Sequence, residues 1–115
     1  YALNLHSVFY RGTVEWRCFN STLHAGRAAA YINLCLAMSA QAIAQRTSVM
    51  RKTVSDNELF TFRVWLVRMG LNGDEFKNTR DHLLANLEGD RAWRYDKDCY
   101  ASSHKNRTSQ QEQER

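Results

Sequence analysis

The sequence predicts an α+β chain, an antiparallel β-hairpin followed by a long helix and two further helices. Three observations predict it. Residues 3–10 and 13–19 alternate apolar with other residues on either side of Arg11-Gly12, the period of a strand. From about His24 to about Arg46 apolar residues recur with the period of a helix. Two later segments carry helix start and stop signals, and the 115-residue chain has no proline to interrupt them.

Successive side chains on a strand point to opposite faces, so Thr13, Glu15, Arg17 and Phe19 share one face and Val14, Trp16 and Cys18 the other. Reading Arg11-Gly12 as a two-residue hairpin loop pairs Tyr10 with Thr13, Val8 with Glu15, His6 with Arg17 and Asn4 with Phe19. That register gathers Asn4, His6, Glu15 and Arg17 on a polar face and places Leu5, Phe9, Val14, Trp16 and Cys18 on a core face. A carboxylate and a guanidinium two residues apart can hold a hard cation beside an anionic group, the arrangement phosphoryl chemistry needs. On the strand alone, a surface ion pair is the preferred reading.

Asn20-Ser21-Thr22 offers capping residues for the long helix, which carries Tyr31, Cys35, Met38 and Ala42 on one stripe and Ile32, Leu36 and Ile43 on the adjoining one. Residues 48–54 form a basic, polar connector. Ser55-Asp56-Asn57-Glu58 then has the spacing of a capping box, with Ser55 as N-cap. The helix it opens carries Leu59, Phe62, Leu66 and Met69 with Trp65 alongside, and stops at Gly70. A third helix is expected from about Asp74 to Glu88, with Phe76, Arg80, Leu83, Leu84 and Leu87 on its stripe. From Asp96 the chain turns polar, and residues 96–115 read as a disordered tail.

The formal charge of +4 and pI near 9.2 come from dispersed basic residues, which weighs against nucleic acid as a partner. No apolar run reaches the length of a membrane span, so no membrane partner is expected. Cys18, Cys35 and Cys99 lack metal-ligand spacing and leave an odd thiol if two pair; reduced thiols favour the cytoplasm.

A strand with Glu-x-Arg, a short Asn/Ser/Thr turn and a small-residue-rich helix follow one another late in the catalytic domain of glutamine synthetases. More closely, Leu3-Asn4-Leu5, Gly12-Thr13-Val14-Glu15-Trp16-Arg17, Phe19-Asn20-Ser21-Thr22-Leu23-His24-Ala25-Gly26 and Tyr31-Ile32-Asn33-Leu34 resemble the C-terminal part of the putative amidoligase family, a branch of the carboxylate-amine ligases. The resemblance extends more loosely through Gly73-Asp74-Glu75-Phe76-Lys77, Arg80-Asp81-His82-Leu83-Leu84 and Leu87-Glu88-Gly89, to about residue 94. It implies that residues 1–95 are the C-terminal part of a glutamine synthetase-like catalytic domain. At 115 residues, opening at Tyr1 directly into a strand, the chain is then expected to be a C-terminal fragment, inactive alone, with the N-terminal part of the same chain as its partner.

The implied chemistry is ATP-driven amide formation between a small-molecule or peptide carboxylate and an amine, through an acyl phosphate. With ATP and Mg²⁺ as cofactors, the resemblance makes Glu15 the Mg²⁺ ligand and Arg17 the clamp on the transferred phosphate. Asn4 would orient substrate, and Asn20 and His24 would line the nucleotide pocket. His6, His82 and the three tryptophans read as surface or packing residues. The alternative is a small basic helical module for DNA binding or protein assembly, without catalytic activity. Its basis is the pair of helices joined by Gly70-Leu71-Asn72-Gly73, with Lys77 and Arg80 near the start of the second.

Overall fold

The computed structural model describes residues 2–95; the expected polar tail, residues 96–115, lies outside them. The elements in order are β1 (Leu3–Asn4), α1 (Val8–Arg11), β2 (Glu15–Trp16), α2 (Ala25–Ala44), α3 (Glu58–Arg68) and α4 (Lys77–Leu84). The α+β class and the order hairpin, long helix, two further helices are as predicted.

The hairpin register differs from the sequence reading. β1 and β2 pair antiparallel with Leu3 opposite Trp16 and Asn4 opposite Glu15, and the Arg17 amide donates to the Ala2 carbonyl at 2.7 Å. The residues between fold back as a helical turn, α1, instead of extending the strands. A two-residue loop needs positive φ at both central positions, or glycine at the first. Arg11-Gly12 supplies one such position, and it is the second. Gly12 accordingly takes φ 69° as the left-handed cap of α1, its amide bonded to the Val8 carbonyl at 3.1 Å. The pairing is displaced by four residues. Because four is even, each side chain keeps its face, and Asn4, Glu15 and Arg17 remain together. His6 does not join them, since it sits in the turn with its ring tilted against Tyr10 at 5.5 Å.

The face expected to be core is open. Phe9 is 88 % exposed, Leu5 52 % and Val14 49 %; Cys18 is also exposed, and Trp16 is half-buried. The core instead belongs to the helices, where Leu34, Leu59, Leu66, Leu71 and Leu84 form one buried cluster. Phe62, Trp65, Met69, Phe76, Leu83 and Leu87 pack around it, as their helical spacing predicts. Phe19 also packs on this cluster, and its ring stacks on Tyr31 at 4.5 Å, so the chain leaving β2 is anchored to α2.

Helix α2 buries the stripe Ala30 and Leu34, with Ala37 and Met38 against the core, while Ile32, Leu36 and Ile43 face outward. Its neighbour α4 crosses on the side where Ala30, 0 % exposed, lets the backbones approach. There the Asn33 Nδ2 donates to Oγ1 of buried Thr79 at 2.9 Å. Bulky Ile32 and Leu36 could not replace the small residue at that contact.

Two helix boundaries correct the sequence reading. The N-cap of α3 is Asn57, whose Oδ1 accepts from the Phe60 amide at 3.0 Å. Ser55 supports it from outside, its Oγ accepting from the Asn57 amide at 3.2 Å. Asn57 Nδ2 donates to the carbonyls of Asp90 and Trp93 at 3.2 and 2.9 Å, so one side chain caps α3 and ties down the segment after α4. Asn57→Ala should therefore cost about 1–2 kcal/mol, more than an isolated cap on the exposed surface, read as a lowered denaturation midpoint. At the other end Gly70 has φ 98°; its amide bonds the Val67 carbonyl at 3.0 Å and the Leu71 amide the Leu66 carbonyl at 3.1 Å, the paired closure of a Schellman motif. Helix α4 is shorter than expected at both ends, because residues 73–76 and 85–86 form turns.

Candidate functional site

The side chains that could do chemistry on the hairpin are Asn4, Glu15 and Arg17. Pairing of Asn4 with Glu15 brings the Asn4 Nδ2 to 3.0 Å from Glu15 Oε2, as donor. Arg17 grips the same carboxylate with both arms: Nε lies 3.0 Å from Oε1, and a terminal guanidinium nitrogen donates to Oε2 at 3.1 Å. This is a bidentate guanidinium–carboxylate contact, the geometry in which an arginine's orientation is fixed. Asn4 is held in turn, since its Oδ1 accepts from the His6 amide at 3.1 Å. Opposite Arg17 the partner strand offers only Ala2, which leaves room for the guanidinium.

The Arg17 and Glu15 side chains are 56 % and 53 % exposed, and Asn4 is half-buried. The Arg17 guanidinium, and after it the Asn4 amide, hold the Glu15 carboxyl below its usual range, and Glu15 raises Arg17 above its own. Glu15 stays ionised and Arg17 stays charged. A carboxylate has about four acceptor positions, and three are already occupied here. Among the described residues no group of three or more His, Cys, Asp or Glu side chains could hold a metal ion. One acceptor position of Glu15 stays open among the described residues.

The residues assigned to the nucleotide are elsewhere in the network. Asn20 is exposed and makes no hydrogen bond with the described residues. The helix cap expected at Asn20-Ser21-Thr22 falls to His24, whose Nδ1 accepts from the Arg27 amide at 3.3 Å, with Thr22 Oγ1 accepting from the His24 amide at 3.1 Å. No hydrogen bond joins Asn20 or His24 to the Glu15–Arg17 pair among the described residues.

His24 meets His82 of α4, their ring centroids 5.1 Å apart. The sequence reading missed this contact, and the one signal for it was Gly26, two residues beyond His24 at the start of the helix.

The basic residues behind the DNA reading are occupied inside the chain. Lys77 Nζ bonds Asp81 at 2.9 Å, and Arg80 donates to the carbonyls of Leu71 and Gly73, both at 2.9 Å. Asp81 also meets Arg91 at 2.9 Å.

The bond from Lys77, then that from Arg91, keeps the Asp81 carboxyl below its usual range. A carboxyl lowered on folding contributes stability that is complete above its unfolded pKa and is lost as pH falls through the folded value. Thermal midpoints should thus decline below about pH 4, less steeply in Asp81→Asn and Glu15→Gln than in the natural sequence.

Comparison with known families supports the resemblance where it is densest. Residues 1–39 match the family model described as putative amidoligase enzyme. The match spans the hairpin, the Asn4–Glu15–Arg17 cluster, the turn to α2 and most of that helix. No curated protein and no solved structure matches the chain. No described helix is long and apolar enough to cross a membrane.

Proposed function

We propose that the hairpin carries part of the active site of an ATP-dependent amidoligase, which joins a carboxylate to an amine through an acyl phosphate. The observation that carries this reading is the bidentate grip of Arg17 on Glu15, completed by Asn4, within the 39 residues that match the amidoligase family model.

In such a reaction the carboxylate attacks the γ-phosphate and the amine displaces phosphate from the acyl phosphate, and catalysis is mostly positioning and charge neutralisation. Arg17 suits that work. Two of its donors are committed to Glu15, which fixes the guanidinium plane, and the remaining N–H groups, without a partner among the described residues, could meet phosphate oxygens. Glu15 aims Arg17 and could offer its one open acceptor position to Mg²⁺, as a single ligand. Asn4 locks Glu15 against rotation. Further groups around the nucleotide and both substrates would come from outside this cluster, with Asn20 and His24 as candidates at its flank.

The test is titration with ATP, with and without Mg²⁺, of the natural chain, Arg17→Lys and Glu15→Gln. Saturable binding that persists at high salt and weakens in both variants upholds the reading; binding equal in all three overturns it. Affinity for duplex DNA that falls steeply with salt would favour the basic-module alternative instead.

A further inference from the structure

The end of the α2–α4 interface holds two imidazoles around one glycine. A methyl group built on Gly26 would lie 2.7 Å from His82 Nε2 and 3.2 Å from His24 Nδ1. Both ring nitrogens therefore border the same small space, kept open because residue 26 has no side chain. Half-buried His82 makes no hydrogen bond among the described residues; its recorded contact is with the His24 ring. Among the described residues no fully buried side-chain nitrogen or oxygen lacks a partner, so the unbonded His82 nitrogen reaches solvent and stays open to a ligand. On the His24 side the nitrogen is engaged, among the described residues, by the long 3.3 Å bond from the Arg27 amide alone, at a helix terminus where water can replace it.

We propose that His24 Nδ1 and His82 Nε2 form a two-histidine site for a borderline divalent cation such as Ni²⁺, Cu²⁺ or Zn²⁺, with water completing the coordination. Imidazole nitrogen selects these ions over Mg²⁺ or Ca²⁺, which prefer oxygen. On binding, the cation takes the place of the Arg27 N–H at His24 Nδ1, and rotation of the two rings, whose centroids lie 5.1 Å apart, brings both nitrogens to bonding distance. The positive end of the α2 dipole opposes a cation there, so the site is expected to be of modest affinity. Its structural effect is to bridge the start of α2 to α4, clamping the interface that Asn33 and Thr79 also hold.

The experiment is calorimetric titration of the full chain with Ni²⁺ under reducing conditions, paired with imidazole proton resonances followed as substoichiometric Cu²⁺ is added. One equivalent of Ni²⁺ should bind, and the His24 and His82 resonances should broaden before those of His6 and His104. His82→Gln and His24→Gln should each weaken the binding at least tenfold while leaving the far-ultraviolet circular dichroism unchanged. Gly26→Ala should do the same by filling the space. Should Gly26→Ala fail to fold, the two glutamine variants still decide. Unchanged affinity in His82→Gln, broadening that starts at His6 or His104, or binding removed only by substituting cysteine would overturn the site.

Discussion

Leu66→Ala should be among the most damaging single changes in the chain, costing about 2–5 kcal/mol, a large share of the total stability of an ordinary domain. Leu66 is 0 % exposed and lies in the cluster that Leu34, Leu59, Leu71 and Leu84 complete. Its carbonyl also accepts the Leu71 amide in the closure of α3, so the backbone around it cannot easily sink to fill the space. Denaturant midpoints measure the effect. Phe9→Ala, on a side chain 88 % exposed, should change the midpoint little, and a Phe9→Ala loss as large as that of Leu66→Ala would mean that the hairpin's apolar face is covered in solution. Half-buried Trp16 belongs between the two.

That contrast shows which parts of the fold are legible in the sequence. The helices of the core are legible because each announces itself locally: Leu59, Phe62, Leu66 and Met69 repeat with the helical period, and Gly70 stops the run. The hairpin's faces are legible for the same reason, since alternation is a local property. Its register is not. Whether Gly12 turns a hairpin or ends a helical turn depends on the φ values available to Arg11 and Gly12 together, and a residue-by-residue count of apolar positions does not weigh them. The burial of the apolar face also escapes local reading, because it depends on what packs there, and here the helices pack on one another. The Asn4–Glu15–Arg17 cluster survives the error in register because a shift of four residues conserves every face. His6 does not survive it, since its place depended on the strand continuing through residue 8. The contact between His24 and His82 joins residues 58 positions apart, and its one local signal, Gly26, marks a close approach without naming the partner.

Arg17→Lys is the change expected to matter most for catalysis. Lysine keeps the charge but not the fork, so it can neither grip both oxygens of Glu15 nor present the remaining donors in a fixed plane. If the cluster serves amide formation, kcat in the protein that carries the complete site should fall at least about tenfold, roughly 1.4 kcal/mol of transition-state stabilisation. Folding should barely change, because an ion pair with both side chains more than half exposed contributes little to stability. Glu15→Gln removes the charge that aims Arg17 and should produce a loss of the same kind. It keeps one carbonyl oxygen, so Arg17 retains a single contact and the loss should be partial. Rates of phosphate release and thermal midpoints, measured together on both variants, separate the two explanations of this strand: activity lost with stability kept places Arg17 at the reacting phosphate. If both variants retained full activity, Glu15 and Arg17 would be a surface ion pair and no more.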